Sequence, residues 1–338
     1  MTVSLPPKVS VCIPVYNGSK YIAESIKSVL AQTFDNFHLI VCDNCSTDNT
    51  EEIVRSFRDP RITYVRNKEN LGLAGNANRC LELANGELVC IWHHDDVMLP
   101  DNLEYKVQLL DEHPDVGFVH SNLILIDDKG EVVAWEIWNE DSRRDYIEDG
   151  ITVFHRYLSY LSRVRGASIF IGAVLARRKC YEKLGGFSPE LPVCNDSEMW
   201  MRMMLFYNVA CISTPLVKYR VHPTSASAGW SDKFSIPSFK EHYQAVMMIF
   251  DRYKEHIPQA SNLKRQISLS FAESAVNLAC RAFSRRKYAD GKMFFREGIR
   301  ISPWILKNPF FWKAAGGLTI GPTGIRFYQS AKKALGKQ

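Results

Sequence analysis

Two histidines and two adjacent carboxylates follow a short apolar segment early in the chain. The apolar segment covers residues 88–92, and the polar group is His93-His94-Asp95-Asp96. Adjacent carboxylates after a buried strand are costly unless a positive group neutralises them. A divalent ion such as Mg²⁺ or Mn²⁺, bound by one or two carboxylates and by substrate phosphates, does so. The cluster therefore predicts a metal site with Asp95 as the main ligand and with Asp96 and His94 as secondary candidates.

Other interpretations of this cluster remain open. Asp96 could instead cap a helix whose first position we expect to be Pro100. The two histidines could indicate zinc, but no cysteine or third histidine is spaced to complete a tetrahedral site.

A further carboxylate, Asp43, ends an apolar segment in the sequence Val41-Cys42-Asp43-Asn44. A carboxylate at this point can accept hydrogen bonds from a nucleobase imide N–H or from a ribose hydroxyl. Alternatively, Asp43 only organises the turn before Asp48, as aspartates often do. We favour the ligand role, because Asn44 and Ser46 can organise the turn by themselves.

The elements that must position these side chains alternate between strand and helix over the first 110 residues. Hydrophobic periodicity predicts strands over 9–15, 37–42, 62–65 and 87–92, and helices over 21–31, 48–57 and 74–84. Such alternation predicts an α/β fold, a Rossmann-like, mostly parallel sheet with helices on both faces. Ligands bind such sheets at the carboxyl ends of the strands, so the polar residues there should converge on one edge.

The rest of the chain becomes strand-rich after about residue 116 and helical after residue 231. We expect a domain over 1–230, with halves 1–115 and 116–230, and a basic helical region over 231–338. Residues 251–338 carry 17 Lys and Arg against 5 Asp and Glu, although the whole chain has a net charge of only +5. With Trp304, Phe310, Phe311 and Trp312, this region is compatible with an anionic membrane surface. A solvated helical tail is an equally good interpretation, and nucleic acid is a weaker one, because no nucleic-acid-binding module accompanies the charge.

Composition and cysteine usage limit the class of protein. The 338 residues, 46% of them hydrophobic, suffice for one large domain and an appendage. Nine cysteines without CxxC pairs suit a reducing compartment better than a disulfide framework. Neither a signal peptide nor about 18 uninterrupted apolar residues occurs. We therefore expect a cytoplasmic protein that could sit peripherally on the inner face of a membrane.

Several short motifs follow one another in a characteristic order. They are VCIPVYN at 11–17, LAQT at 30–33, VCDNCSTD at 41–48, NLG at 70–72, GE at 86–87 and DD at 95–96. In order and spacing the chain resembles the family 2 glycosyltransferases, whose fold is called GT-A. The resemblance is close over residues 8–115 and resumes more weakly at 185–187, 195–202 and 219–222.

The resemblance implies an enzyme that binds a nucleotide-sugar donor with a divalent cation, Mn²⁺ or Mg²⁺. It implies that Pro14, Tyr16 and Asp43 bind the base and ribose, and that Asn78 belongs to the donor site. Asp95 matches the metal-binding aspartate of the family's DxD motif. This sequence departs from the motif at residue 93, where a histidine stands in place of the usual first aspartate.

For the acceptor half, the resemblance implies that Asp196 is the catalytic base. An inverting transfer needs a base that takes the proton of the acceptor hydroxyl. Asp196 could instead be the N-cap of a helix, since we expect a helix over 198–207. Glu198 is the second candidate for the base, and Arg202 is expected to orient the acceptor side. His222 matches a family histidine that reaches the metal or the diphosphate, although a structural role is equally open.

We therefore expect an inverting, metal-dependent hexosyltransferase of cell-surface polysaccharide synthesis. It would move a sugar from a nucleotide-sugar, with a UDP-sugar as first choice, to a hydroxyl of a glycan or lipid-linked oligosaccharide. One alternative is a nucleotidyltransferase that forms sugar nucleotides, but the loop after the first strand carries a single glycine, Gly18. Another is a non-catalytic scaffold that binds sugar nucleotides, which the histidine at position 93 suggests.

Overall fold

The structure is a computed structural model that describes residues 6–136, 143–163, 169–223, 225, 235–307 and 311. The chain divides into two compact units, Met1–His155 with Ala167–Gly229, and Arg156–Gly166 with Trp230–Gln338. Phe310 and Trp312, named above for their aromatic side chains, lie outside the described residues. All nine cysteines are thiols, and none of them forms a disulfide among the described residues.

The described part of the first unit contains one ten-stranded sheet. Its strands are β1 (Val9–Val15), β2 (Phe37–Asp43), β3 (Ile62–Arg66), β4 (Leu88–Ile91), β5 (Val97–Met98), β6 (Val116–Ile126), β7 (Val132–Glu136), β8 (Tyr146–Glu148), β9 (Val174–Arg177) and β10 (Asn208–Arg220). The strand order is β3-β2-β1-β4-β9-β6-β10-β5, with β7 beside β6 and β8 beside β10. The β3-β2-β1-β4 half is parallel throughout. In the other half only β6 and β10 pair in parallel.

Helices alternate with the strands of the parallel half, which confirms the predicted α/β architecture. Between the strands of this half lie α1 (Ile22–Leu30), α2 (Thr50–Ser56) and α3 (Gly72–Leu83). Farther along the chain follow α4 (Asn102–Glu112), α5 (Gly150–Ser162), α6 (Arg178–Leu184) and α7 (Asn195–Met204). Two predicted helix starts are wrong. Helix α4 has Asp101 as its cap residue, so Pro100 precedes the helix. Helix α7 begins three residues before the predicted position 198.

The core of the parallel half explains why the sequence folds this way locally. A parallel strand is covered on both faces, so β1 and β2 are almost continuously apolar and buried. Helix α1 buries Ile22, Ile26 and Val29, which share one side of the helix because they are three or four residues apart. This helix stripe and the strands belong to the same buried core.

Strand register brings the polar strand ends to one edge of the sheet. Val15 at the end of β1 pairs with Asp43, and Asp43 pairs with Arg66 at the end of β3. Strand β4 runs parallel to β1 and therefore ends at the same edge. Strand β5, which follows at once, pairs with β10 through Val97 and Lys218. That pairing carries the acidic segment before β5 towards the end of β10.

The described part of the second unit is helical, which confirms the predicted C-terminal helical region. Its further helices are α8 (Ile236–Arg252), α9 (Ala260–Ser284) and α10 (Tyr288–Ile301), followed by a 3₁₀ turn over Pro303–Lys307. Phe239 of α8 packs edge-on against Phe271 of α9 and Phe294 of α10, with ring centroids 5.8 and 5.9 Å apart. No described helix has both the length and the apolar character needed to cross a membrane.

Candidate active site

Asp95 and His222 meet at the edge of the sheet where β4 and β10 end. Nε2 of His222 lies 2.9 Å from Oδ2 of Asp95, and the two side chains are only 5% and 13% exposed. Burial by itself would raise the pKa of Asp95, but the imidazoles of His94 and His93 and the hydrogen bond to His222 hold it below its usual value. The Asp95 carboxylate is therefore ionised at neutral pH. The structure brings together the two residues predicted to bind the metal.

His93 and Asp96 extend this pair into a cluster. One potential ligand atom from each of His93, Asp95 and Asp96 lies within 4.8 Å of the others. Oδ1 of Asp96 accepts a hydrogen bond from the backbone N–H of Arg220 at 2.8 Å. No hydrogen-bond donor among the described residues reaches the buried Oδ2 of Asp96, and Nδ1 of His93 lies 3.6 Å from it.

These residues fit a divalent cation. The site offers carboxylate oxygens and an imidazole, and the buried Oδ2 of Asp96 still needs a positive partner. Burial and the charge of Asp95 raise the pKa of Asp96 to about 6. Burial lowers the pKa of His93, but the negative charges of Asp96, Asp95 and Asp196 outweigh that effect and raise it. A negative local field of this kind favours a bound cation.

The structure also shows the surroundings of His94 and the residue that caps α4. Burial lowers the pKa of His94, and its ring borders Gly18, where an added Cβ would lie 2.6 Å from a ring carbon. His94 does not belong to the group of potential metal ligands found among the described residues. Asp96 does not cap α4, because Asp101 occupies the cap position.

Arg220 holds the acidic segment in place. Its buried guanidinium donates to the carbonyl oxygen of Asp95 at 2.9 Å and to the carboxylate of Glu24 at 2.7 Å. It also donates to the carbonyl oxygen of Asp127 at 3.1 Å. The ring of Tyr21 lies 4.9 Å from the guanidinium carbon and 4.8 Å from the His222 ring. Sequence reasoning missed this role, although Arg220 stands two residues before a predicted metal ligand.

Asp196, the predicted base, lies half-buried in the first turn of α7. Its Oδ1 accepts a hydrogen bond from the N–H of Ser197 at 2.6 Å. Cys194 holds the N-cap position, so the alternative that Asp196 is the cap residue is wrong. Burial raises the pKa of Asp196 to about 6, and the charge of His93 opposes that rise. A carboxylate with such a pKa suits proton transfer near neutral pH.

Glu198 and Arg202 form a buried ion pair. Nη2 of Arg202 lies 2.8 Å from Oε2 of Glu198, and the Glu198 side chain is 0% exposed. The same guanidinium donates to the carbonyl oxygens of Leu184 and Gly186, each at 2.7 Å. These contacts fix the turn after α6. They make Glu198 a poor candidate for a base that must meet an acceptor.

Asn78 secures the same turn from helix α3. Its amide nitrogen donates to the carbonyl oxygen of Phe187 at 2.9 Å, and its amide oxygen accepts from the N–H of Phe187 at 2.7 Å. A Cβ added to Gly186 would lie 2.3 Å from that oxygen, so the turn approaches Asn78 too closely for any other residue. The predicted donor-binding role of Asn78 stays a prediction.

The residues predicted to bind the nucleobase and ribose lie at the carboxyl ends of β1 and β2. Pro14 is half-buried, and Tyr16 is exposed. Asp43 is fully buried and accepts hydrogen bonds from the N–H of Ser46 at 2.7 Å, from Tyr64 at 2.5 Å and from Arg66 at 2.9 Å. The turn role considered for Asp43 is therefore present, and its ligand role stays a prediction. Sequence reasoning missed Tyr64, whereas Arg66 follows the predicted strand 62–65 and was expected at the edge where the strand ends converge.

The chain is similar in sequence to known proteins. Residues 10–164 match the family model described as glycosyl transferase family 2. A glycosyltransferase of Methanocaldococcus jannaschii is 34% identical over 225 residues, which cover 64% of this chain and 71% of that protein. The chain belongs to glycosyl transferase family 2. The predicted family membership is thereby confirmed.

Two further comparisons concern a named activity and the fold. The Escherichia coli protein WfgD, named UDP-Glc:alpha-D-GlcNAc-diphosphoundecaprenol beta-1,3-glucosyltransferase, is 29% identical over 67% of this chain and 81% of its own length. The crystal structure of Staphylococcus aureus TarS 1-349 in complex with UDP-GlcNAc aligns with a TM-score of 0.61 and 16% identity. That alignment covers 89% of this chain and 92% of TarS 1-349, and it confirms the GT-A fold. The alignments with two other relatives, both from Rickettsia, cover only 35% and 64% of the length of those proteins.

Proposed function

We propose that this family 2 protein is an inverting, metal-dependent glycosyltransferase that uses a UDP-sugar donor. The observation that carries the proposal is the meeting of the Asp95–His222 pair with His93 and Asp96 at one edge of the sheet. The opposed effects of His93 and Asp196 on each other's pKa support a base close to this cluster. The UDP moiety is supported by the name of WfgD and by the ligand of TarS.

In the proposed reaction, the protein supplies a base and a polar cradle. The Asp196 carboxylate takes the proton of the acceptor hydroxyl while that oxygen forms a bond to the anomeric carbon of the donor sugar. The bond from this carbon to the nucleoside diphosphate breaks, and the diphosphate leaves with the electron pair. Attack opposite to the leaving group inverts the configuration at the anomeric carbon.

The divalent cation, Mn²⁺ or Mg²⁺, belongs to the donor side of the site. Asp95 and His222 would hold it, with His93 and Asp96 as further ligand groups. When bound, it offsets the negative charge that develops on the diphosphate. Arg220 keeps the carbonyl of Asp95 and the carboxylate of Asp96 in place through its side chain and its backbone N–H. We propose that Pro14, Tyr16 and Asp43 bind the nucleobase and the ribose of the donor.

The acceptor in this proposal is a hydroxyl of a glycan or lipid-linked oligosaccharide, in cell-surface polysaccharide synthesis. The name of WfgD, whose acceptor carries a diphosphoundecaprenol lipid, supports this class. The nine free cysteines are consistent with a cytoplasmic site of action. A lipid-linked acceptor would place the enzyme peripherally at the inner face of a membrane.

A donor screen tests the proposal. Binding and slow hydrolysis of UDP-, GDP- and dTDP-sugars are measured with Mn²⁺, Mg²⁺ or a chelator, for the wild type and for Asp95→Ala. We expect metal-dependent binding of a UDP-sugar that Asp95→Ala abolishes. A folded protein that binds none of these donors would overturn the proposal and favour the scaffold interpretation. Binding of a GDP- or dTDP-sugar alone would overturn only the choice of uracil as the nucleobase of the donor.

A further inference from the structure

The turn between α9 and α10 forms a basic surface that the proposed reaction does not use. Arg285, Arg286, Lys292 and Arg296 are all exposed. None of the ion pairs observed among the described residues includes any of these four side chains. Residues 281–307 contain eight Lys and Arg against two Asp and Glu. We call these four residues, with the exposed Met293 beside them, the α9–α10 surface.

The geometry of α10 places part of this charge on one side. Gly291, Phe294 and Gly298 are buried and face the other helices of the unit. Lys292 and Arg296 are exposed and four residues apart, so they are neighbours on the outer side of the helix. Like charges at this spacing slightly destabilise an isolated helix. A partner with negative charge would remove that repulsion.

The turn itself adds a second unfavourable feature. Arg286 has a φ of 63°, in the left-handed region that glycine and asparagine occupy more easily. An arginine at this position does not stabilise the backbone of the turn, because glycine or asparagine adopts this conformation more easily. It adds an exposed cation, beside Arg285, to those of α10.

Exposed apolar side chains accompany this charge. Met293 is 48% exposed, Trp304 56% and Leu306 38%. The ammonium group of Lys307 lies 4.1 Å from the centre of the Trp304 ring. Basic residues combined with tryptophan and aliphatic side chains are typical of segments that lie in a membrane interface. The backbone of a nucleic acid would match the positive charge but would leave Met293 and Leu306 without an apolar environment.

We propose that the α9–α10 surface binds the surface of a membrane that contains anionic lipid. Its cations would face the lipid phosphates, and Met293, together with Trp304 of the 3₁₀ turn that follows α10, would enter the boundary between headgroups and acyl chains. This inference deepens the proposed function, on whose peripheral membrane contact it rests, by naming the surface that makes it. It concerns a site separate from the one that binds the donor.

Vesicle flotation of the full chain tests this surface without any sugar donor. The probes are vesicles of phosphatidylcholine alone and vesicles with about 30% phosphatidylglycerol, each at about 0.1 M and about 0.5 M salt. The surface variant is Arg285→Ala/Arg286→Ala/Lys292→Ala/Arg296→Ala. The matched control removes four other exposed cations, as Lys27→Ala/Arg58→Ala/Lys179→Ala/Lys254→Ala. Trp304→Ala tests the apolar contribution.

We expect the wild type and the control to bind the anionic vesicles at low salt and to be released at high salt. The surface variant should bind at least tenfold more weakly while its hydrolysis of a soluble donor is unchanged, and Trp304→Ala should bind more weakly than the wild type. Equal binding by the surface variant and the wild type would overturn the assignment, as would binding of an oligonucleotide but not of vesicles. If the wild type hydrolyses no donor but still binds the anionic vesicles, that result counts against the proposed reaction alone, because flotation needs no turnover.

Discussion

At the scale of single residues, three carboxylates of one site differ in pKa because their surroundings differ. Asp95 is held below its usual pKa, although burial opposes this, by two neighbouring imidazoles and by its bond to His222. Burial raises the pKa of Asp196 to about 6. Burial and the charge of Asp95 do the same for Asp96. The site therefore contains one carboxylate, Asp95, that is ionised at neutral pH and a second, Asp196, whose raised pKa suits it to act as a base.

The pH dependence of turnover should report Asp196. A base must be ionised, and the pKa of this carboxylate is raised to about 6, so turnover should fall as the pH drops through about 6. An unperturbed aspartate would keep its activity down to about pH 4. Steady-state rates of donor hydrolysis from about pH 4.5 to 8 check this. A rate that stays constant down to about pH 5 would contradict the assignment, provided that the protein remains folded.

His93→Ala should weaken activation by Mn²⁺ about tenfold, because it removes one of the clustered ligand atoms and leaves Asp95 and His222 in place. The measurement is the metal concentration that gives half-maximal donor binding. His256→Ala, an exposed histidine in the second unit, is the matched control. An unchanged metal requirement in His93→Ala would mean that this histidine only neutralises Asp96.

At the scale of elements, the parallel half of the sheet was predictable because each strand and helix there has its own periodic pattern. The convergence of residues on one edge followed from the ends of those strands. The hydrogen bond of Asp43 with Tyr64 and the contacts that fix the turn after α6 were not predictable. They depend on strand register and on contacts between residues distant in sequence, such as Asn78 with Phe187. The roles of the individual site residues stay predictions, because they depend on bound substrates.

Arg220→Met should disturb the site through the element that it holds. The side chain is buried and donates to three groups of the site, so its loss should lower the free energy of unfolding by about 2–4 kcal/mol and weaken donor binding. Urea unfolding and donor titration check both effects. Arg55→Met removes an exposed i,i+4 pair with Glu51 and should cost less than about 0.5 kcal/mol. Equal costs for the two variants would contradict the role given to Arg220.

At the scale of the whole molecule, one buried charge opposes the stability of the first unit. Lys106 of α4 is fully buried, and its ammonium group donates to the carbonyl oxygen of Ala173 at 2.7 Å. Burial lowers the pKa of Lys106 from its ordinary 10.5 to about 8. Between these two values the unfolded chain binds more protons at this position than the folded chain. The contribution of Lys106 to stability therefore improves as the pH rises through this range.

Lys106→Met should stabilise the protein near pH 7 by about 1–2 kcal/mol, because the removed cost of burying a charge exceeds the lost hydrogen bond. The advantage over the wild type should shrink by about pH 9.5, where Lys106 is already neutral when folded. Urea unfolding of both proteins at the two pH values measures it. Lys27→Met, at an exposed position, should show no such trend. An advantage that grows with pH would contradict the account.

The most direct test of the central claim, that Asp196 is the base of a glycosyl transfer, compares two neighbouring carboxylates. Donor binding and turnover are measured for the wild type, Asp196→Asn and Glu198→Gln. We predict that Asp196→Asn keeps donor binding within about threefold and loses at least about a hundredfold in turnover. Glu198→Gln should lower the free energy of unfolding, because Glu198 forms a buried ion pair with Arg202. It should leave most of the turnover per folded molecule. Full turnover in Asp196→Asn, or its loss only in a folded Glu198→Gln, would contradict the claim.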